Sequence, residues 1–457
     1  MRSDIELLAA AGVFDDVTTH WPLPWRSILA GLSNADLSRQ PPAVQAAAER
    51  VLREGRAATA PGFLATASAD ATNSAATVYG FDGMGRGQGQ AQLSLEGNGG
   101  IFSGRAALGA ITGNFRGDSF KLMPDGSYLS LRLGGALVYA GYLDHWWGPG
   151  QISALSLSNN ARPMPQIGIE RAGTEASSWP ILRWLGPWQV ELMLGYLDGP
   201  RIQPDTYYNA ARFTFHPVRG LEIGVSRTEE FCGQGHACVP LRDYFHFANN
   251  PSNPNATNDQ STLDIKYANT LGGVPFQAYM QLMNEDYTLV AHSGTSHLFG
   301  ASIFVPTAAN PVKLTAEYTN SIATLHPFAF GDDMFGFSYT NYSYPDGMRY
   351  RGRTLGFSLD DDSTLLSLQG SWTDPGGRFY ELSFHHAAIG TSRTPAGANI
   401  VSTAPVLMNV GAARVGLPLM LGGQGIRLDL EGRLSDDQPR PHHGFAAGVE
   451  AAIKIGL

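Results

Sequence analysis

The final segment of the chain constrains the fold more than any other. From Phe445 to Leu457 every second residue is apolar, while Glu450 and Lys454 fall on the opposite face. A period of two residues is the pattern of a β-strand with one apolar and one polar face. Because the alternation runs to the last residue, we expect this strand to pair on both sides within a closed sheet, so that no edge is left free.

The same alternation recurs from about residue 62 onward. The clearest further strands are predicted at 189–196, 221–226, 263–267, 314–318 and 426–431. Turn signals rich in Pro, Asp and Gly separate the strands at 124–126, 198–200, 345–347 and 375–377. A longer polar loop, rich in Asn and Pro, begins at Asn249. Short turns combined with long loops are typical of the two rims of an outer-membrane barrel.

Composition narrows the class further. Charged residues make up only 16% of the chain, below the roughly 25% that is usual in soluble domains. No apolar run reaches the length of about 18 residues that a transmembrane helix needs. A soluble all-β protein and a transmembrane β-barrel remain as candidates, and we predict an all-β transmembrane antiparallel β-barrel. At about 22 residues for each strand and its connection, the barrel would have roughly 18 strands.

Residues 1–58 differ from the rest because their periodicity is helical. Ser3 and Glu6 have the spacing of a capping box at the start of a helix. Three short helices are predicted, one that stops at Gly12, one at about Ser27 to Leu32, and one from Pro42 to Gly55. The apolar face of each helix is too narrow to form an independent core. We therefore expect a small N-terminal α-helical bundle over 1–58 that packs against a barrel formed by 59–457.

The cysteines and the start of the chain bear on the compartment. Cys232 and Cys238 lie in FCGQGHAC with His236 between them. Metal binding is the competing interpretation, but three ligands on a Gly-rich loop without a fourth make a poor zinc site. We predict a small disulfide loop formed in an oxidising compartment such as the periplasm or the cell surface. No signal-peptide pattern follows Met1, so we expect either a cytoplasmic protein or a mature chain, and the cysteines and the barrel pattern favour the mature chain.

Charge and motifs argue against several functions. A net charge of −9 argues against nucleic acid, which requires clustered basic groups. Asp360 to Asp362 could bind calcium, but the run lacks the glycine and the terminal glutamate of an EF-hand loop. No Gly-x-Ser-x-Gly or His-Glu-x-x-His motif occurs, and the carboxylates are too scattered to identify a glycosidase pair. We therefore predict no enzymatic activity, no cofactor and no metal.

One segment, DHWWGPGQISALSLSNNARPMP at 144–165, concentrates residues suited to carbohydrate. Glycan binding needs aromatic faces for the sugar rings and a few fixed polar groups for hydroxyls and carboxylates. The candidate polysaccharide-binding residues here are Asp144, His145, Trp146, Trp147 and Arg162. An aromatic belt at a membrane interface, flanked by an ordinary turn, is the alternative interpretation.

A second candidate group lies in MRYRGR. Arg349, Arg351 and Arg353 recur at alternate positions, so in a single strand all three would project from one face. They could contact an acidic sugar. They could equally form a ladder inside the barrel that neutralises the acidic run at 360–362, and both interpretations stay open.

Seven segments of the chain form a set, and they are DIELLAAAGVF, TTHWPLPW, DHWWGPGQ, LSNNARPMP, WLGPW, LEIGVSRTEEFCGQGHAC and MRYRGRTLGFSLDDD. Through these segments the chain resembles the Wzi family of capsule-assembly outer-membrane proteins over nearly its whole length. Together they form a specific set, whereas each alone is weak.

This resemblance implies a monomeric outer-membrane barrel with its helical bundle in the periplasm and with loops that fill the outer mouth and occlude the lumen. It further implies a lectin that holds capsular polysaccharide, or another exopolysaccharide, at the cell exterior. Outer-membrane lipid and the polysaccharide export machinery are the other expected partners. The rival interpretations are a passive diffusion channel of the porin kind, which would need an open lumen, and a barrel enzyme acting on glycan or lipid.

Overall fold

A computed structural model describes residues 1–113, 121–236, 238, 257–285, 294–307, 310–328, 331–391, 399–439 and 444–457. Most of the polar loop predicted from Asn249 lies outside these residues. No helix in the described ranges is long and apolar enough to cross a membrane. The main element of the fold is a sheet that closes on itself.

Within the described ranges, 18 long antiparallel strands form this closed barrel, as predicted. In chain order they are β1 (Gly62–Thr72), β2 (Gly89–Gly99), β3 (Phe102–Thr112), β4 (Tyr128–Leu133), β5 (Ala136–Gly141), β6 (Gln166–Arg171), β7 (Trp188–Tyr196), β8 (Tyr207–Val218), β9 (Leu221–Phe231), β10 (Asn258–Leu271), β11 (Val274–Glu285), β12 (Thr295–Val305), β13 (Val312–Thr324), β14 (Thr364–Thr373), β15 (Phe379–Ile389), β16 (Val406–Leu421), β17 (Gln424–Pro439) and β18 (Gly444–Gly456). The alternating C-terminal segment is β18, which pairs with β17 on one side and closes on β1 on the other.

In β7 the two faces of the strand are distributed as in a barrel that spans a membrane. In β7, Leu192 and Leu194 point outward and are exposed, whereas Gln189 and Glu191 point inward and are buried. The apolar face that would form the core of a soluble protein is therefore on the outside. The polar face lines the interior, where inward side chains can hold other parts of the chain.

The three predicted helices are present, with different ends. They are α1 (Arg2–Ala10), α2 (Trp25–Ser33) and α3 (Pro42–Thr59). The prediction that α3 ends at Gly55 is wrong, because the helix continues to Thr59. A Cβ atom at Gly55 would lie 2.8 Å from the ring of Trp25 and 2.9 Å from Leu29. Glycine at this position allows α2 and α3 to pack closely, and it does not terminate the helix.

The helices pack against one end of the barrel. Their apolar side chains form a cluster with Ala268 of β10 and Phe304 of β12. The Thr270 hydroxyl donates to the backbone oxygen of Ala10 over 3.0 Å. Tight turns join the strands at this end, for example between β8 and β9 and between β16 and β17. A longer connection, residues 172–187, joins β6 and β7 at the same end. We call this end the helix end, and we call the opposite end, where most of the long connections lie, the loop end.

Two connections turn inward and occupy the interior. We call residues 144–165 the plug segment and residues 335–363 the inner loop. Buried apolar residues of both, including Trp147, Leu155, Tyr339 and Phe357, belong to one cluster with inward side chains of the wall. The barrel therefore has a core built from its own connections.

Candidate functional site

The two tryptophans of the plug segment lie inside the barrel. Trp146 and Trp147 are buried and form a short antiparallel sheet with Trp21 and His20 of the N-terminal segment. Next to them, the Gly148 N–H donates to the backbone oxygen of Thr19 over 2.9 Å. The tryptophan faces are therefore used in packing between two segments of the chain, and neither ring lies at a surface.

Wall side chains bind the backbone of the plug segment. The Glu317 carboxylate of β13 accepts the N–H groups of Gln151 and Ser153, each over 2.7 Å. The Gln281 side chain of β11 accepts the Leu155 N–H over 2.8 Å and donates to the backbone oxygen of Trp147 over 3.0 Å. Because a buried backbone group without a partner is costly, these contacts stabilise an irregular segment in the interior.

The remaining predicted residues of the plug segment pair with other parts of the protein. His145 and His20 each place Nε2 near Glu191, at 2.9 and 2.8 Å. Arg162 donates to both carboxylate oxygens of Asp125, over 3.2 and 2.9 Å. The side chains in all three contacts are buried.

Asp144 is the exception among the five. Its side chain is 42% exposed and accepts from Arg86 over 2.6 Å. Arg353 of the inner loop donates to the backbone oxygen of Arg86 over 3.0 Å. Two of the predicted residues, one from each inward connection, thus meet at Arg86, and Asp144 presents a carboxylate to solvent there.

The prediction that three arginines project from one strand is wrong. Arg349 and Arg353 belong to two short paired strands joined by a turn, and Arg351 at that turn has a positive φ of 47°. The turn sends the three side chains in different directions. Arg349 binds Asp360 over 2.8 and 2.9 Å, so for this residue the interpretation as a neutralising partner of the acidic run is confirmed. Arg351 binds Asp198 over 2.7 Å.

The acidic run at 360–362 is fully buried. Asp361 accepts from the hydroxyl of Thr340 over 2.7 Å and from the Ser338 N–H over 3.1 Å. Burial, followed by the charges of Asp362 and Asp360, raises the pKa of the Asp361 carboxyl to about 7. Among the residues that the structure describes, no group of three or more His, Cys, Asp or Glu side chains is arranged to hold a metal ion.

The predicted disulfide is confirmed at the loop end, where Cys232 is bonded to Cys238. The Tyr344 hydroxyl of the inner loop donates to the backbone oxygen of Cys232 over 2.9 Å, and the His236 ring stacks on Tyr344 at 4.7 Å. On the same inner loop, the Tyr342 side chain is 92% exposed. The disulfide loop and the inner loop therefore form a joint surface that presents an aromatic ring to solvent.

The charged groups that fix the N-terminal helix were not predicted from the sequence. The predicted capping box of Ser3 and Glu6 is wrong, because α1 begins at Arg2 without a side-chain cap. Glu6 of α1 binds Lys313 of β13 over 2.6 Å and Arg2 over 2.9 Å. The Arg2 guanidinium also donates to the backbone oxygens of Pro149 and Gly150, each over 2.9 Å. The sequence does predict that such contacts exist, because charged residues at inward positions of the strands need partners inside a barrel. The sequence does not say which partners they have.

A closed barrel with an apolar outer face and two connections that turn into its interior defines a membrane-spanning β-barrel protein. Residues 59–411 match the family model of the capsule assembly protein Wzi. The chain belongs to this Wzi family, as its sequence motifs predicted.

The chain is similar to three known proteins to different degrees. The Escherichia coli Wzi, an outer-membrane carbohydrate-binding β-barrel involved in group 1 capsule assembly, superposes with a TM-score of 0.84 at 20% identity, over 99% of this chain and 97% of that one. An uncharacterized 55.8 kDa protein in the cps region of Klebsiella pneumoniae is 26% identical over 292 residues, 63% of this chain. The match spans 57% of that relative's length. OccK5 of Pseudomonas aeruginosa has a TM-score of 0.47 at 9% identity, over 86% of this chain and 98% of that one.

Proposed function

We propose that this protein is an outer-membrane barrel that attaches or organises capsular, or other exported, polysaccharide at the cell surface without catalysing a reaction. The observation that carries the proposal is the filled interior. The plug segment and the inner loop are buried and bonded to inward side chains, so the loop end is suited to binding more than to passage. Membership in the Wzi family supports it.

The proposal includes an orientation. The helical unit of residues 1–58 faces the periplasm, and the barrel of residues 59–457 presents lumen-occluding loops to the exterior. The support is the asymmetry of the ends, because outer-membrane barrels have short periplasmic turns and longer outer loops. In this arrangement the protein acts as a monomer surrounded by outer-membrane lipid, and the helix end is available to the polysaccharide export machinery.

The predicted binding residues take two roles in this proposal. Asp144 contacts sugar directly, since its carboxylate is exposed beside Arg86. The other predicted residues hold the plug segment and the inner loop in the shape that binds, and they are His145, Trp146, Trp147, Arg162, Arg349, Arg351 and Arg353. We add Tyr342 as a direct contact, because its exposed ring offers a face on which a sugar can stack.

Binding of the purified, detergent-solubilised protein to the host's own surface polysaccharide tests the proposal. We expect the wild type to bind, and Tyr342→Ala to weaken binding by roughly 2- to 10-fold through loss of one stacking contact. Arg39→Ala, at an exposed position of the helical unit, is the matched control and should bind like the wild type. A wild-type protein that does not bind would contradict the proposal.

Two further measurements address the rival functions. Steady large currents through the wild type in planar bilayers would support the passive diffusion channel. Turnover of purified polysaccharide or lipid by the protein would support the barrel enzyme. We expect neither, because the proposal assigns the chain a binding role.

A further inference from the structure

The connection between β6 and β7, residues 172–187, exposes large apolar side chains at the helix end. Trp179, Ile181 and Trp184 are 56%, 65% and 61% exposed. Scattered single apolar residues on a surface are ordinary, but three large ones within six positions form a patch that needs an explanation.

This connection is held in place on the barrel. The Trp188 N–H donates to the backbone oxygen of Thr174, and the Thr174 N–H donates to the Ser27 hydroxyl of α2, each over 2.9 Å. At the other side of the connection, the His216 N–H donates to the backbone oxygen of Pro187 over 2.9 Å. The exposed side chains are therefore presented by an ordered segment that is bonded to both the wall and the helical unit.

The patch continues the outward face of the barrel. The Trp184 ring meets Phe215 of β8 edge-on, with 5.8 Å between centroids, and Phe215 stacks on Phe213 at 5.4 Å. Trp188 of β7 extends the row, 6.0 Å from Phe213. These outward aromatic rings form one continuous column that runs from the strands to the connection.

The neighbouring turns indicate where the membrane boundary lies. Val218, Leu271 and Leu421, at three tight turns of the helix end, are all exposed apolar residues. Exposure of such side chains to water is unfavourable, whereas their exposure to lipid is not. The connection lies at the same end of the barrel as these turns. Its apolar patch is therefore expected at the interface between the bilayer and water.

We propose that residues 179–184 form an interfacial anchor that inserts Trp179, Ile181 and Trp184 into the headgroup and upper acyl region of the leaflet at the helix end. Tryptophan favours this region because its ring is apolar while its N–H remains hydrogen-bonded. Arg183 is exposed on the same turn and carries the charge that lipid phosphates bind. Through the Thr174–Ser27 hydrogen bond, the anchor also ties α2 to the membrane surface.

A nitroxide spin label at Ile181→Cys tests the anchor, since the two native cysteines are bonded to each other and leave the introduced thiol for labelling. The protein is reconstituted into phosphatidylcholine vesicles, and collision of the label with oxygen, which partitions into lipid, is compared with collision with a water-soluble nickel chelate. Leu192→Cys on the outward face of β7 is the lipid control, and Arg39→Cys on the helical unit is the water control.

We expect the label at 181 to favour oxygen over nickel, as the label at 192 does. A label at 181 with the nickel access of position 39 would overturn the proposal and would leave the patch to a protein partner. Adding Trp179→Ser and Trp184→Ser to the labelled protein should raise nickel access at 181. Unchanged access in that background would overturn the assignment of the two tryptophans as anchors.

Discussion

Glu317 on the barrel wall holds the plug segment at Gln151, whose backbone N–H lies 2.7 Å from the Glu317 carboxylate. The same carboxylate accepts the N–H of Ser153 over 2.7 Å and the Tyr279 hydroxyl over 2.9 Å. Loss of a buried acceptor leaves each of its donors without a partner, which costs more than the loss of an exposed one. One inward acid of β13 thus fixes the irregular backbone that fills the interior.

Glu317→Gln should destabilise the protein. The amide keeps one acceptor but places an NH₂ group among donors, so at least one buried N–H loses its partner. We expect the free energy of unfolding to fall by about 1–3 kcal/mol, measured by denaturation in detergent. Glu175→Gln, at an exposed acid, is the control, and an equal effect of both substitutions would contradict this account.

The same substitution should loosen the plug segment. In planar bilayers we expect the wild type to be nearly silent and Glu317→Gln to show intermittent current, because the backbone at 151–153 is less firmly held. The measurement is the fraction of time during which each protein conducts current at the same applied voltage. Equal and steady currents in both would mean that the plug segment does not close the interior.

The ion pair between Glu6 and Lys313 should be essential for seating α1. Burial alone would raise the pKa of the Glu6 carboxyl, but Lys313 and Arg2 outweigh it and hold the pKa below its usual range. A depressed pKa in the folded state gives stability that is present above the unfolded pKa and is lost as the pH falls. Glu6→Gln leaves a buried ammonium without its partner, so we expect a loss of about 3–5 kcal/mol.

A double-mutant cycle with Lys313→Met measures this pair. The double variant should be more stable than the sum of the two single losses predicts, because the ammonium at position 313 is no longer buried without a carboxylate. The Arg2 guanidinium loses Glu6 in both Glu6→Gln backgrounds, so that loss cancels in the cycle. Asp36→Asn, in an exposed ion pair with Arg39, should change the stability by less than about 1 kcal/mol. Additive effects at Glu6 and Lys313 would show that the two side chains are not coupled.

Asp361 should make stability fall as the pH rises from about 4 to 7. Its folded-state pKa of about 7 lies above the value of about 3.9 for an unfolded aspartate. Between these two pKa values the carboxyl is protonated in the folded protein and ionised in the unfolded one. Its contribution to stability is therefore complete below about pH 4 and is lost as the pH rises to about 7. In Asp361→Asn, which keeps an acceptor for Thr340, thermal midpoints should decline less between pH 4 and 7. A slope identical to that of the wild type would refute the assignment.

Gly55 should be required for the packing of α2 on α3. An added methyl group would meet Trp25 at 2.8 Å, and such overpacking costs about 1–3 kcal/mol. The gain in helix propensity from Gly55→Ala is at most about 1 kcal/mol, so we expect a net loss in stability. Arg56→Ala, at an exposed neighbouring position, should be nearly neutral, and a stabilised Gly55→Ala would show that α2 can move away.

The strands and the class of barrel could be predicted because they depend on local order. In β18 the alternation of apolar and polar residues reports the two faces directly, and closure against β1 follows from the need to leave no edge. The end of α3 could not be predicted in the same way. A glycine near the end of an apolar pattern predicts the end of a helix. Only the contact between Gly55 and Trp25 shows that this glycine is instead required for the packing of α2 on α3.

For the candidate site, too, the sequence predicted the segments but not their tertiary contacts. The sequence identified the plug segment and the arginines at 349–353 as parts suited to binding, and it left open whether those arginines contact sugar or neutralise the acidic run at 360–362. It could not tell that Trp146 and Trp147 face the interior, because their partners at 20 and 21 are more than a hundred residues away in the chain.

The sequence by itself determined that the chain forms a closed barrel with an apolar exterior, since a two-residue period and the absence of long apolar runs are properties of neighbouring residues. The tertiary structure alone decided what fills that barrel. The inward course of the plug segment brings Gln151 to Glu317, and the packing of α1 against the barrel brings Glu6 to Lys313. A buried charge can be satisfied by any suitable group that the fold places within hydrogen-bonding distance, so its choice of partner is fixed by geometry and not by order along the chain.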